Sequence, residues 1–256
     1  MNKVFLLSLL IVFLYCLEVF FPLRKRQFNR PTFQHGMINI AIIFLGTILV
    51  KIVNFTLLYY SIDLFQFKYS LISVLGIGGV GASLFTIILF DFLIWFQHLI
   101  SHHVPFFWRF HRVHHCDDFL DTSSGLRFHP FEIVASLLFK FVLILVIGIS
   151  QADFLIFEFL LTSFALFNHS NIKLPNSLDR VLSLVIVTPN VHQVHHSKRK
   201  SETNSNFGFN IVLWDRIFGT YKDFFKVENL EIGLDDITPQ QANSLSFLLL
   251  WPLRRK

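Results

Sequence analysis

Charge is scarce in this 256-residue chain, since only 15% of its residues are Asp, Glu, Lys or Arg. An average soluble domain carries about 25%. Hydrophobic residues make up 53% of the chain, and its mean hydropathy is +0.56. This balance excludes an ordinary soluble domain and predicts one integral membrane domain.

Cysteine is also scarce, and the two cysteines lie far apart in the sequence. Cys16 lies in an apolar run, and Cys116 directly follows a pair of histidines. A disulfide framework is not implied, and a Cys-x-x-Cys metal site is absent. The chemistry of the chain therefore has to rest on other residue types.

Three further motifs are missing, and each absence excludes a class of function. The glycines between residues 76 and 81 lie in an apolar run without a βαβ context, so they do not predict a nucleotide-binding loop. His98 is followed by Leu99 instead of the glutamate of a zinc protease. His129 and Pro130 continue into Phe-Glu, so no fused haem-binding electron carrier is visible. Reducing power must therefore come from a separate protein.

The charge that is present is mostly basic. The formal net charge is +5, and the isoelectric point is about 9.3. In a membrane protein this excess is best explained by cytosolic Lys and Arg beside anionic lipid headgroups. We therefore expect membrane lipids as partners, and no nucleic acid.

Long apolar runs predict an all-α membrane protein. They cover residues 4–23, 37–60, 71–100, 131–149 and 154–167. Glycines open the third run, so its helix is predicted to begin near Ala82. We interpret the last two runs as a hairpin that enters the bilayer and returns. The expectation is about four transmembrane helices or re-entrant hairpins.

Basic residues predict the orientation of these spans. No small-residue cleavage site follows the first run, which favours a retained span over a signal peptide. Four basic residues follow it instead: Arg24, Lys25, Arg26 and Arg30. They place that loop in the cytoplasm, whereas the 61–70 loop carries only Lys68. Counting spans then predicts a cytosolic helical cap that carries the histidine clusters.

Eight histidines form three tight clusters with helical spacing. They are His98 and His102; His111, His114 and His115; and His192, His195 and His196. Residues three and four apart share one face of a helix, and neutral imidazole is the commonest metal ligand. Eight ligands exceed the four to six or so that one ion accepts. The clusters therefore predict two metal ions.

The first and third clusters carry further signals. Asp91 lies seven residues before His98 on the same helical face, so its carboxylate is a candidate catalytic group that orients an imidazole or balances metal charge. Pro105 limits the helix of the first cluster, and an aromatic linker over 106–108 is expected to follow. Thr188 before Pro189 predicts the start of a helix for the third cluster.

Several other residues leave two interpretations open. His129 and His169 lie next to apolar runs, where a metal ligand or supporting role competes evenly with that of an interfacial or core residue. Three acidic residues follow the second cluster and either accept imidazole N–H groups or form a solvated loop; they are Asp117, Asp118 and Asp121. His103 points away from the clusters, and His35 has no context that predicts a role.

Over about residues 91–221, these features resemble the fatty acid hydroxylase superfamily, also called the sterol desaturase family. The resemblance is carried by the three clusters together with Arg127-Phe-His-Pro130, Asn168-His-Ser-Asn-Ile-Lys-Leu-Pro175, Thr188-Pro-Asn190, Asn206-Phe-Gly208 and Trp214-Asp-Arg-Ile-Phe-Gly-Thr220. It implies a membrane-embedded, non-haem di-iron enzyme that uses O2, with zinc as a possible substitute for iron. The eight clustered histidines would be metal ligands, and His129 and His169 match recurrent family positions.

The resemblance leaves the substrate open. Members hydroxylate fatty acyl chains, desaturate or hydroxylate sterols, make carotenoid alcohols or cleave alkyl ethers. It implies a lipid substrate that enters from the bilayer and a separate electron-donor protein. We divide the chain into N-terminal membrane helices (1–70), a hydroxylase-like di-iron domain (71–225) and a C-terminal tail (226–256).

A histidine-rich zinc transporter or carrier is the competing interpretation, because imidazole ligands alone do not exclude it. A transporter should place its ligands along the transmembrane path. Two of the three clusters here lie in segments that are not predicted to span, which favours the enzyme. A catalytically inactive relative is a third interpretation.

Overall fold

The computed structural model describes residues 3–25, 32–59, 69–224 and 227–254, and in these ranges the chain is helical without extended strands. The α-helices are α1 (Lys3–Phe20), α2 (Thr32–Tyr59), α3 (Leu71–Leu75), α4 (Gly79–His103), α5 (Pro105–His115), α6 (Pro130–Ile147), α7 (Gln151–His169), α8 (Asn176–Leu182), α9 (Pro189–His195), α10 (Lys200–Thr203), α11 (Leu213–Ile217), α12 (Pro239–Ala242) and α13 (Leu245–Leu250). Short 3-10 helices cover Thr122–Leu126, Val227–Asn229 and Trp251–Leu253. The predicted all-α class is confirmed.

Four of these helices are long and apolar enough to cross a membrane. They are Phe33–Val53 within α2 and the whole of α4, α6 and α7. The apolar part of α1, Phe5–Phe20, is shorter. Large apolar side chains on the outer faces are exposed, for example Phe44 on α2 and Val142 on α6. Such surfaces suit contact with lipid, and the chain is an integral membrane protein.

Glycine and proline set the helix boundaries around the first cluster. Gly76 ends α3 with a φ of 63°, in the left-handed region that favours glycine. The helix of the third apolar run begins at Gly79, three residues before the predicted Ala82. Pro105 opens α5 directly after the break at Val104. Residues 106–108 therefore form the first turn of α5, and the predicted aromatic linker is wrong.

The α6–α7 hairpin brings the chain back to the end of the membrane helices where it started. Gly148 ends α6 with a φ of 79°, and the Ser150 hydroxyl accepts a hydrogen bond from the Asp153 amide to begin α7. The two helices run antiparallel. As a result, Pro130 at the start of α6 and His169 at the end of α7 lie at one end of the bundle.

The N-terminal helices meet the same end. The Leu23 amide, just after α1, donates to the carbonyl of Asn171 at 2.9 Å. His35 in the first turns of α2 lies 2.8 Å from Asp117. Arg24 and Lys25 therefore lie at the histidine end, whereas Arg26, Arg30, Lys68, Arg255 and Lys256 are outside the described residues. Whether this end faces the cytoplasm stays a prediction.

The C-terminal segment closes the histidine end from one side. Leu248 of α13 is fully buried and Trp251 nearly so. They pack with Ile38 and Ile42 of α2 and with Val113 of α5. The short apolar segment at the end of the chain therefore covers a core, and the domain division at residue 226 stays a prediction.

Candidate metal centre

Nine buried histidines form two groups at this end of the bundle. In each group the candidate ligand atoms lie within 4.8 Å of one another. The first group is His98, His102, His111, His115 and His195, and the second group is His114, His169, His192 and His196. All eight clustered histidines thus converge, and His169 joins them.

Helical geometry divides two of the three sequence clusters between the two groups. Adjacent residues on an α-helix point about 100° apart. His114 and His115 at the end of α5 therefore enter different groups, and so do His195, the last residue of α9, and His196, which caps it. Residues four apart stay together, as His98 and His102 do on α4. The Thr188 hydroxyl accepts from the Val191 amide at the start of α9, which confirms the predicted beginning of that helix.

Backbone carbonyls fix the tautomer of several of these rings. The Nδ1 atom of His98 lies 2.7 Å from the Phe207 carbonyl, that of His195 2.7 Å from the Ser205 carbonyl and that of His169 2.6 Å from the Ala165 carbonyl. A carbonyl only accepts, so each Nδ1 carries the proton and donates. Each Nε2 then presents a lone pair to the interior of its group.

These lone pairs face one another at short distance. The Nε2 atoms of His98 and His111 are 3.1 Å apart, those of His195 and His98 are 3.1 Å apart, and those of His169 and His114 are 2.9 Å apart. Two unprotonated nitrogens do not hydrogen-bond to each other. Both ring nitrogens of His115 are buried without a hydrogen-bond partner in the described chain. Bound cations would satisfy the facing Nε2 atoms and one ring nitrogen of His115, so the residues fit metal ions.

Burial keeps the imidazoles outside the membrane helices in their metal-binding form. Removal from water, together with neighbouring imidazoles, lowers the pKa of His114, His115, His192 and His196 well below the ordinary value. Burial also lowers the pKa of His195 to about 3. These rings are therefore neutral at physiological pH, and neutral imidazole suits Zn, Cu, Fe and Ni.

Glu132 is a supporting residue that the sequence did not predict. Its Oε1 atom accepts from Nδ1 of His111 at 2.6 Å. A carboxylate behind a metal-bound imidazole orients the ring and raises its basicity. An acidic residue in the first turn of a helix is common because it suits the helix dipole, so its position alone gave no signal.

Asp91 is buried on the predicted face of α4, but it does not contact an imidazole among the described residues. Its carboxylate accepts from Nδ2 of Asn210 at 2.8 Å and from Nε1 of Trp214 at 2.7 Å. These two donors take the place of the predicted imidazole contact, and a role for Asp91 in balancing metal charge stays a prediction. The same segment holds the Phe207 carbonyl, so Asp91 acts on His98 only through the 206–215 loop.

Asp215 holds that loop from the other side. It accepts from the amides of Phe207 and Gly208 at 2.9 and 2.8 Å and from Nε1 of Trp95 at 3.0 Å. Trp95 lies on the same stripe of α4 as Asp91. The two carboxylates thus fasten the 206–215 loop to α4.

The structure separates His129 from His169. His129 lies outside both groups, where its Nδ1 accepts from the Phe131 amide at 3.1 Å and its Nε2 donates to the Leu249 carbonyl at 3.2 Å. Both ring nitrogens are occupied, so His129 serves as the N-cap of α6. His103 lies outside both groups, as predicted; its ring is exposed and bonds to the Leu99 carbonyl.

His35 and the acidic residues after the second cluster form a separate buried network. His35 lies 2.8 Å from Asp117 and 3.3 Å from Asp121. The Arg127 guanidinium lies 3.5 Å from Asp117, and its backbone carbonyl accepts from Nδ1 of His114 at 3.2 Å. Burial alone would raise the pKa of Asp117, but Arg127 and His35 hold it below its ordinary range. This network supports the second group indirectly.

A cavity of about 280 Å³ adjoins the first group. It lies between α2, α4, α6 and α7, and both His98 and His111 line it. Near these histidines its lining combines the apolar Ile94, Ile133 and Phe209 with the polar Gln97, Ser101 and Glu132. The cavity could admit an alkyl chain to the first group.

The chain is similar to several known proteins whose names describe hydroxylases or monooxygenases. An ornithine lipid hydroxylase, OlsE, of Rhizobium tropici is 28% identical over 170 residues, which is 66% of this chain and 50% of that protein. The human alkylglycerol monooxygenase is 31% identical over 133 residues, 52% of this chain and 28% of that protein. The human cholesterol 25-hydroxylase is 29% identical over 140 residues, 54% of this chain and 50% of that protein.

The chain thus spans half or less of the length of these relatives. No solved structure matches it. The family model described as fatty acid hydroxylase matches residues 83–220, more than half of the chain, and this range includes every member of both histidine groups. The chain belongs to the fatty acid hydroxylase family.

Proposed function

We propose that the protein is a membrane-bound, O2-dependent oxidoreductase that hydroxylates or desaturates a lipid. The observation that carries this proposal is the convergence of Nε2 lone pairs in two adjacent groups of buried imidazoles, one of which borders an apolar cavity among membrane helices. The named relatives oxidise different lipids, namely ornithine lipids, alkylglycerols and cholesterol. Lipid oxidation is what these names share.

The first and second groups would each hold one iron ion, with zinc as a possible substitute. Bound iron would supply activation of O2 and removal of hydrogen from an unactivated C–H bond. The protein's own part is to present neutral ligands, fix their tautomers through the 205–207 carbonyls and exclude bulk water. His98 and His111 face the cavity, so an alkyl chain there would lie beside the first group.

Two partners complete the proposal. The lipid would enter from the bilayer, because the cavity lies among membrane-spanning helices. Electrons would come from a separate donor protein, as the family resemblance implies. Arg24, Lys25 and Lys198–Lys200 lie at the histidine end and support its cytoplasmic orientation.

A zinc transporter would place its ligands along the membrane path. In the described residues both groups lie instead at one end of α4, α6 and α7. Beyond them, toward the middle of the helices, the cavity contains no further histidine. This distribution favours an enzyme over a carrier.

The proposal is tested on protein purified from iron-replete cells in lipid nanodiscs. We expect about two iron ions per chain, one for each group. Extracted membrane lipids incubated with O2 and a chemical reductant should gain one oxygen atom or lose two hydrogens, as measured by mass spectrometry. Folded protein with neither bound metal nor oxidised lipid would contradict the proposal.

The orientation needs a separate test. Ser201 is exposed at the histidine end, and Gln151 is exposed at the hairpin turn. Ser201→Cys and Gln151→Cys are placed singly in a cysteine-free background and treated with a membrane-impermeant thiol reagent. We expect Gln151→Cys to react in intact cells and Ser201→Cys only after the cells are opened; the reverse pattern excludes a cytoplasmic site.

A further inference from the structure

A partly buried ion pair marks the end of the cavity that is remote from the histidines. Nζ of Lys140 on α6 lies 2.8 Å from Oε1 of Glu158 on α7, and the two side chains are 14% and 22% exposed. Both residues line the same cavity as His98 and His111. The cavity therefore connects the first group to a pair of opposite charges.

The pair lies deep among the membrane helices. Lys140 is eight residues beyond Glu132, the partner of His111, and Glu158 is eleven residues before His169. At a rise of 1.5 Å per residue, the pair is roughly 12 to 16 Å from the histidines along the helix axes. Ionisable residues at such a depth are expensive and are functional by default.

A purely structural role explains the pair poorly. Two well-packed apolar side chains often hold helices together as well as a buried ion pair, or better. Other parts of α6 and α7 already pack through apolar residues, including Leu143, Ile147 and Phe157. The charges are best explained by something that enters the cavity.

The atoms of the pair indicate what would bind there. An ammonium group has three N–H donors and a carboxylate has about four lone pairs, so both retain hydrogen-bonding capacity after they bond to each other. Ser136 and Gln97, which hydrogen-bond to each other at 3.3 Å, add neutral polar atoms nearby. An uncharged group that both donates and accepts would satisfy Lys140 and Glu158 together. A free carboxylate would be repelled by Glu158.

We propose that Lys140 and Glu158 bind an uncharged hydrogen-bonding group of the lipid substrate, such as a hydroxyl or an amide. The alkyl segment beyond that group would run along Ile94, Ile133 and Phe209 to the first histidine group. The substrate class is then a lipid whose oxidised carbon is remote from a hydroxyl or amide. This inference rests on the proposed function for the identity of the substrate, but its binding geometry is testable without turnover.

Photolabelling tests this geometry. The probes are two long-chain alcohols, one with a diazirine near the hydroxyl and one with a diazirine near the methyl end, added to the full chain in nanodiscs. Labelled residues are mapped by mass spectrometry. We expect the hydroxyl-end probe to label α6 and α7 around Lys140 and Thr162, and the methyl-end probe to label the lining near His111, at Ser101 and Phe128. The opposite order, or labelling confined to the lipid-facing Leu138 and Val142, overturns the proposal.

Two double variants separate binding from folding. Lys140→Met with Glu158→Leu should weaken cavity labelling by the hydroxyl-end probe by about tenfold, because its hydroxyl loses its partners. Lys140→Glu with Glu158→Lys keeps a donor and an acceptor and should retain most labelling. Lys51→Met removes an exposed lysine of α2 and should change nothing. If the apolar variant fails to fold, loss of ordered labelling in a folded charge-swapped variant still overturns the proposal.

Competition identifies the chemical class. Unlabelled long-chain alcohol should displace the hydroxyl-end probe about tenfold better than a fatty acid of equal length, and stronger displacement by the fatty acid overturns the choice of an uncharged group. Metal content and lipid oxidation are measured on the same preparations. Reversed labelling in an iron-loaded, active protein removes only this inference, whereas ordered labelling in a protein without metal or activity removes only the proposed function.

Discussion

The two histidine groups have similar ligands and different surroundings. The first group borders the cavity through His98 and His111, whereas no member of the second group lines it. The first group is held by the 205–207 carbonyls and by Glu132, and the second by the carbonyls of Ala165 and Arg127. In the proposed function, the first group would therefore meet the substrate, and the second would complete the metal centre behind it.

The largest effects should follow from removing one ligand from either group. His195→Ala removes an imidazole from the first group, and His192→Ala removes one from the second. We expect turnover to fall by more than about a hundredfold in both variants, because even the partners behind metal ligands contribute 10- to 100-fold. Each variant should lose about half of the bound metal, measured by elemental analysis.

His103→Ala is the matched control for both variants. Its ring is exposed and bonds to the carbonyl of Leu99 in its own helix, so metal content and turnover should stay normal. A His195→Ala protein with normal activity would remove the end of α9 from the site. Loss of all metal from both variants would show instead that the two groups bind metal as one cooperative unit.

A smaller effect that is confined to the first group is expected for Glu132→Gln. The variant keeps the shape of the side chain but removes the charge that His111 contacts at 2.6 Å. Turnover should fall by roughly 10- to 100-fold, with metal lost from one group only. Glu231→Gln, at a side chain that is 83% exposed, is the control; equal activity of the two variants would return Glu132 to the role of a helix-capping acid.

The contacts behind the histidines are not predictable from the sequence, because they join residues that are far apart in the chain. Sequence spacing predicts that His98 and His102 share one face, because the helical repeat relates residues only three or four positions apart. Pro105 and Thr188 predict helix boundaries because they also act on the neighbouring backbone. The Phe207 carbonyl is 109 residues from His98, so no local pattern pairs them. Asp91 was predicted on the correct face of α4, but a face does not specify a partner.

The roles of His129, His169 and His35 were likewise not predictable from their sequence positions. His129 and His169 had equal weight in the sequence, because both flank apolar helices. Only the packing of α7 against α5 and α9 brings His169 into the second group, while His129 caps its own helix. His35 had no predictive context, yet it is buried against Asp117, which is 82 residues away.

Asp117 is expected to support the second group mainly by stabilising the folded protein around it. Asp117→Asn leaves the buried Arg127 guanidinium without the carboxylate at 3.5 Å and leaves His35 with Asp121 alone, which should cost about 3 kcal/mol of unfolding free energy. Turnover at low temperature should fall by less than about tenfold, since Asp117 contacts no member of either group. Thermal unfolding in nanodiscs measures the loss, with the exposed Asp223→Asn as the control.

The pH dependence gives a second measurement on Asp117. Its pKa is lowered in the folded protein, so its contribution is fully present above the unfolded value of about 3.9 and is lost as the pH falls below it. The stability difference between wild type and Asp117→Asn should therefore not shrink between neutral pH and roughly pH 4, and should shrink below it. A difference that already shrinks near neutral pH would mean that another group carries the effect.

The smallest effect is expected for Asp91→Asn, which tests how the 206–215 loop supports the first group. Asparagine keeps one acceptor for Asn210 or Trp214 but loses the charge and the second acceptor. The loop should therefore loosen, but it should stay attached to α4 through the contact between Asp215 and Trp95. Because that loop carries the Phe207 carbonyl behind His98, turnover should fall by a few-fold, or about 1 kcal/mol, with metal content and the unfolding transition nearly unchanged. Asp215→Asn is the variant to compare with it. Because Asp215 binds the Phe207 amide directly, this variant should reduce turnover further than Asp91→Asn does. If Asp91→Asn instead abolishes metal binding, its carboxylate acts on the metal centre more directly than these contacts allow; if turnover is normal, the Asn210 and Trp214 contacts are dispensable for holding His98.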